Sequence, residues 1–215
     1  MGGVTFGGPG PFHSEPSLAV GLNGVDAYVE VPNSDAFSQP TSGNGLTVEV
    51  WFRPDTISFD GQTSEHYIHW LGKGETDDYE WGLRFYSDRP PRNNRVSAYI
   101  WNPTNEVAGQ KENLGAGAYF QDPVIVGAWI YVVACYDPGD ASNPNAGVSI
   151  YKNGVLREGP LTSPGARYSQ FAIHPVHGAA PVRFGTRDLG SFLTKGRSRG
   201  RGDLSARAQG GRGHG

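Results

Sequence analysis

Residues 45–53 read Gly-Leu-Thr-Val-Glu-Val-Trp-Phe-Arg, with an apolar side chain at every second position from Leu46. A two-residue period places Leu46, Val48, Val50 and Phe52 on one face of a strand, and Thr47, Glu49, Trp51 and Arg53 on the other. A helix, whose apolar positions recur at three and four, cannot use that pattern. The same period returns in 80–87, where Trp81, Leu83 and Phe85 oppose Arg84 and Tyr86. It returns again in 95–101, where Val96, Ala98 and Ile100 oppose Ser97, Tyr99 and Trp101. Residues 129–136 are apolar on both faces, which predicts a central strand. Val148–Lys152 and Val155–Arg157 flank Asn153-Gly154, a dipeptide suited to a two-residue hairpin turn because both positions take positive φ. Further short strands are predicted at 18–22, 27–31, 67–71, 171–174 and 182–185.

With 32 glycines and 16 prolines in 215 residues, the chain has turn formers for many short connections. That composition suits short strands better than helices, and about ten short strands separated by turns predict an antiparallel β-sandwich. No repeat is evident, which excludes propellers and solenoids. The formal net charge is −3, and it is unevenly placed. Residues 195–215 carry six basic groups against Asp203, which leaves residues 1–194 with an excess of eight acidic groups. An acidic body is a poor polyanion binder, so nucleic acid is not expected as a partner. The single cysteine, Cys135, excludes an internal disulfide and is expected as a buried, inert thiol. No apolar stretch is long enough to predict a membrane span. The first residues lack the basic and apolar regions of a secretory leader, leaving a retained protein or a segment of a longer exported, multidomain chain.

Six stretches follow one another in a recognisable order: VGLNGVDAYVEVPNSDAF, GLTVEVWFRPDTI, LGKGETDDYEWGLRFY, GAWIYVVACYDPG, GVSIYKNGVLREGP and PVRFGTRDLGSFLTKG. Together they resemble the laminin G-like branch of the concanavalin A-like lectin/glucanase superfamily. The resemblance implies an all-β jelly roll, an antiparallel sandwich of two curved sheets over residues 17–194. It also implies a binding or adhesion module for carbohydrate or a protein surface ligand, in secreted or surface proteins, sometimes with calcium. Residues 1–16 are then expected as a flexible N-terminal segment and 195–215 as a Gly/Arg-rich disordered tail. Two departures stand out. The family closes on a further strand, and none is legible after Thr194, so the last strand is expected to be missing. A long insert also runs from Asn102 to Gly127.

Gly74–Gly82 (GETDDYEWG) carries Glu75, Asp77 and Glu80, the E-x-D-x-x-E order of one group of retaining β-glucanases. Such chemistry needs two carboxyls about 5–5.5 Å apart. On a strand Glu75 and Glu80 face opposite sides unless a bulge intervenes, and the residues between them are turn formers. The stretch is predicted to be a hairpin, with a glycoside hydrolase using Glu75, Asp77 and Glu80 as the alternative function. A passive structural domain of a larger surface or virion protein is the other alternative.

For a ligand, Arg84, Tyr86, Ser97, Tyr99 and Trp101 come from two neighbouring strands and share the face turned from the core. Rings offer apolar faces to sugar C–H groups, and Arg, Ser and Tyr can bond hydroxyls. Either that strip is open to a ligand, or the long insert covers it. For calcium, which takes six to eight oxygens, the turn carboxylates Asp26, Asp77, Asp78 and Asp188 are the candidate ligands of a structural Ca2+. His66 with His69, and His174 with His177, stand three apart, a spacing that points each pair to opposite faces of a strand. Arg201-Gly202-Asp203 spells an adhesion tripeptide inside a tract of Arg and Gly where chance produces it.

Overall fold

The computed structural model describes residues 3–12, 18–24, 26–38, 45–56, 67–75, 78–86, 95–101, 115–120, 123–139, 147–157, 167–168, 177–186 and 200–203. Among these there are fourteen strands: β1 Thr5–Pro9, β2 Leu18–Gly21, β3 Val29–Val31, β4 Leu46–Pro54, β5 Tyr67–Glu75, β6 Asp78–Tyr86, β7 Val96–Trp101, β8 Gly115–Tyr119, β9 Ile130–Asp137, β10 Gly147–Lys152, β11 Val155–Leu156, β12 Arg167–Tyr168, β13 Val182–Phe184 and β14 Gly200–Asp203. A 3-10 turn, Asp35–Phe37, is capped by the Ser34 hydroxyl, which accepts from Ala36 N. No helix is long and apolar enough to cross a membrane among the described residues.

All the strand pairs are antiparallel, and they form two seven-stranded sheets. Sheet A runs β1-β2-β14-β4-β9-β10-β11, and sheet B runs β12-β8-β7-β6-β5-β13-β3. The core lies between them, as the alternation predicts. Leu46, Val48, Val50 and Phe52 of β4 meet Trp81, Leu83 and Phe85 of β6 and Val96, Ala98 and Ile100 of β7. Phe52 stacks on Trp70 with centroids 4.4 Å apart and tilts on Phe85 at 5.3 Å. Each such side chain contributes roughly 1.5–3 kcal/mol when fully buried, so this layer is what holds the sheets together. The Asn153-Gly154 hairpin forms as predicted, with φ of 53° and 79°. Asn153 is fixed further by its side-chain oxygen, which accepts from Tyr131 N at 2.9 Å.

Three strands and one side chain differ from the sequence expectations. β8 (Gly-Ala-Gly-Ala-Tyr) arises inside the expected insert, with Ala116 and Ala118 in the core. β1 pairs with β2 inside the segment expected to be flexible. β14 lies between β2 and β4, where Arg201 is opposite both Gly21 and Arg53, so the expectation of a missing last strand is corrected. Pairing there runs through the main chain, which any Gly/Arg sequence can supply, and it closes two strand edges. The adhesion tripeptide is therefore part of a sheet strand rather than an exposed loop. Cys135, expected to be buried, is partly exposed on the outer face of sheet A, where Thr47 Oγ1 donates to Sγ at 3.6 Å. The predicted strand at 171–174 lies outside the described residues.

Candidate functional site

The outer face of sheet B gathers four of the predicted ligand residues. Register places Arg84 opposite both His69 and Ser97, and Tyr99 opposite Gly82 and Gly117. Arg84 Nε donates to Ser97 Oγ at 3.3 Å. Its guanidinium carbon lies 4.4 Å from the centre of the Tyr99 ring and 5.8 Å from that of Trp101. Tyr99 meets Trp101 edge-on at 4.7 Å. Glycines make this packing possible. A Cβ on Gly82 would touch His69 Cδ2 and Trp101 Cζ3 at 3.4 Å, and one on Gly115 would stand 2.6 Å from Tyr99 Cε1. Tyr86 ends β6, and its side chain is outside the described set.

These side chains form a cluster, but a closed one. Arg84 is 5% exposed, Ser97 0%, Tyr99 9% and Trp101 7%. Among the described residues the strip is therefore buried and not open to a ligand.

The E-x-D-x-x-E stretch is a hairpin joining β5 to β6, with Glu75 opposite Asp78. Lys73 is opposite Trp81 and Gly74 is opposite Tyr79, which leaves Glu80 unopposed as a bulge. That bulge turns Glu80 inward with the core residue Trp81. Lys73, in register with Trp81 and Val182, also points between the sheets. The two form an ion pair with side-chain exposures of 0% and 1%. Lys73 Nζ donates to Gly178 O at 2.9 Å, and Gly178 N donates to Glu80 Oε1 at 3.0 Å. Glu75 instead pairs with Arg183 at 2.5 Å, and Arg183 also donates to Glu30 at 2.9 Å. Burial alone would lower the Arg183 pKa; its bonds to Glu75 and Glu30 outweigh that and raise it. The two glutamates are thus held by different cations, and Asp77 lies outside the described residues.

Of the calcium candidates, Asp26 alone has its side chain among the described residues. Asp26 is exposed and accepts from Asn23 Nδ2 at 2.7 Å, while Asn23 Oδ1 accepts from Asp26 N and Ala27 N, a turn-capping arrangement. Asp78 contributes its backbone to β6, and Asp77 and Asp188 are outside the described residues. No group of three His, Cys, Asp or Glu side chains could hold a metal among the described residues. Of the histidines, His69 packs against Trp101 at 5.7 Å, and His177 lies 3.5 Å from Asp35. His66 and His174 are outside the described residues.

The open aromatic surface lies on the other sheet. On the outer face of sheet A, Trp51 is opposite Tyr131 and stacks on it at 5.0 Å, and Phe12 meets Trp51 edge-on at 5.1 Å. All three rings are at least partly exposed. Tyr131 Oη donates to Glu49 Oε2, which also lies on this face. That bond first, then burial, then the Glu49 charge push the Tyr131 pKa up to about 12. The signal was present in the sequence. Alternation already turned Glu49 and Trp51 outward, but the apolar run at 129–136 concealed the outward place of Tyr131.

The sequence profile of the Concanavalin A-like lectin/glucanases superfamily matches residues 23–188. No curated protein sequence matches the chain. Among solved structures, the chain is similar to an endo-beta-1,4-glucuronan lyase from the fungus Trichoderma reesei. Identity is 15%, the TM-score is 0.50, and the match covers 97% of this chain and 87% of that one. It is also similar to domain 4 of AbnA, a GH43 extracellular arabinanase from Geobacillus stearothermophilus in complex with arabinotriose. There identity is 13% and the TM-score 0.46, over 96% of this chain and 77% of that one. The binding domain of Botulinum neurotoxin DC, in complex with rat synaptotagmin II, matches at 10% identity and a TM-score of 0.45, over 88% of this chain and 45% of that one.

Proposed function

The chain belongs to the concanavalin A-like lectin/glucanases superfamily, and from that premise we propose that it is a non-catalytic module that binds carbohydrate on the outer face of sheet A. The observation that carries the proposal is the open row Phe12, Trp51 and Tyr131 beside the Glu49 carboxylate. Partly exposed rings present apolar surface to sugar C–H groups, and a carboxylate with a spare oxygen accepts from hydroxyls. The closed Arg84–Tyr99–Trp101 cluster supports the same choice of face, because a ligand cannot reach side chains buried to that degree. The separate engagement of Glu75 by Arg183 and of Glu80 by Lys73 favours binding over hydrolysis. Retaining chemistry requires two carboxyls that converge on one bond.

A broad glycan array probed with the full chain tests this. The expected result is retention of at least one glycan class, weakened about tenfold or more in Trp51→Ala, the factor that corresponds to 1.4 kcal/mol. The melting temperature of that variant should change little. Unchanged binding by Trp51→Ala would move the site elsewhere, and turnover of a bound glycan would replace the binding proposal with hydrolysis. An array without a single retained glycan would favour the passive structural domain.

A further inference from the structure

The Lys73–Glu80 pair holds a primary amine against a carboxyl group inside the core. Lys73 stands on β5 in register with Trp81 and Val182, both buried, and the two side chains of the pair are themselves shut off from water. Nζ is in direct contact with Oε1 of Glu80. Gly178, also buried, is the third member. Its carbonyl oxygen accepts from Nζ at 2.9 Å, and its N–H donates to Oε1 at 3.0 Å. As ions the pair is poorly served there. The ammonium has three protons to donate and the carboxylate has two oxygens to satisfy. Among the described residues Nζ donates to two acceptors, and Oε2 has no hydrogen-bond partner. The attraction between two buried charges offsets their desolvation only when the remaining protons and lone pairs are bonded as well.

A secondary amide in the same place needs less from its surroundings. It has one N–H, one carbonyl oxygen and no charge. Gly178 offers an acceptor to the first and a donor to the second, through the two bonds it already makes to Nζ and Oε1. The atom without a partner, Oε2, is the one that leaves. The step is a condensation. One proton passes from the Lys73 ammonium to Oε2, the amine lone pair attacks Cδ of Glu80, and the C–N bond forms. A second proton follows from nitrogen to Oε2, the C–Oε2 bond breaks, and one water departs. The two opposite charges cancel, and no oxidant, reductant or co-reactant is consumed. Charge that develops on Oε1 during the addition meets the Gly178 N–H, a donor fixed beforehand by the fold. In dilute solution the same two groups stay ionised and apart. Held in contact they react as one molecule, for which effective concentrations reach about 10⁵–10⁸ M. A site closed to water also opposes the reverse step.

We propose that Lys73 and Glu80 are a modification site, at which the folded chain joins them in an intramolecular isopeptide bond that clamps the β5–β6 hairpin. Until the bond forms, the pair behaves as two buried charges. The proposal is independent of the carbohydrate site. Intact mass spectrometry of the full chain tests it, with the protein kept folded for days and denatured only for the measurement. The expected mass is that of the sequence less one water. Trypsin should fail to cut after Lys73, because the acylated side chain carries no charge. The digest should then contain a peptide that runs unbroken through Lys73 to Arg84, lighter by one water, with fragment ions that place the link between Lys73 and Glu80. Lys73→Arg keeps a cation but replaces the amine with a poorly nucleophilic guanidinium, and should retain the full sequence mass. A folded wild-type chain that retains the full sequence mass would overturn the proposal. So would a loss of water that maps outside Lys73–Arg84, or one that persists in Lys73→Arg.

Discussion

Removing one member of the Lys73–Glu80 pair leaves the other as a charge with almost no contact with water. Both side chains lie between the sheets, where, among the described residues, they bond each other and the main-chain groups of Gly178. Glu80 Oε2 has no hydrogen-bond partner among the described residues, so the pair already carries an uncompensated desolvation term. Lys73→Met or Glu80→Leu alone is therefore expected to cost about 3–5 kcal/mol. In a chain of this size that lowers the melting temperature by roughly 6–20 °C. The double variant removes both charges. It orphans the Gly178 N–H and C=O at about 1–3 kcal/mol each, and two apolar side chains in a dry site offset that by about 1–4 kcal/mol. The net then lies between a gain of about 2 and a cost of about 5 kcal/mol, against a cost of about 6–10 if the two positions acted independently. Urea unfolding of the full chain, followed by circular dichroism and tryptophan fluorescence, reads all four corners of the cycle. Additive costs would refute a coupled buried pair. Single costs under about 1 kcal/mol, the value of a solvent-exposed bridge, would refute its burial.

Two further outcomes follow from local geometry. Because Tyr131 releases its proton near 10.0 when unfolded and only at about 12 when folded, stability is complete below the lower value and falls as pH rises towards the upper one. Tyr131→Phe should flatten that alkaline decline, and equal slopes for both proteins would count against the bond to Glu49. Gly115→Ala would place a Cβ 1.8 Å from Ile100 O, whereas at Gly82 the nearest atoms are 3.4 Å away. Urea midpoints should show about 3 kcal/mol or more lost in the first and within about 1 kcal/mol in the second. Similar costs would contradict the pairing of β8 with β7.

Much of the sandwich was legible because burial on one face writes a two-residue period into the chain. Leu46, Val48, Val50 and Phe52 follow it, and all four are in the core. Asn153-Gly154 was legible because few residues accept positive φ at two successive positions. β8 was not, since its inward positions are alanines and its outward ones Gly115, Gly117 and Tyr119, so little contrast in hydrophobicity marks either face. β14 was not, because its pairing uses only the main chain. The inward turn of Glu80 depends on a bulge set by the partner strand, and a single strand's sequence shows no such partner. The strip of Arg84, Ser97, Tyr99 and Trp101 was assembled correctly from alternation, which fixes the face of a sheet but not whether a further layer lies over it. The open row at Trp51 and Tyr131 is the converse case, outward by period and exposed by circumstance.

The place of β14 bears on how the chain is made. In the sheet order β1-β2-β14-β4, the β1–β2 ribbon meets β4 only across β14. A ribosome delivers β2 about 180 residues before that neighbour, which at 5–20 residues per second is a wait of roughly ten to forty seconds. Through that interval β4 can zip to β9, and β9 to β10, while its other flank stays bare to any passing extended segment. Nascent chains crowded on one message would meet one another with that flank uncovered, so their joining competes with the arrival of four late residues.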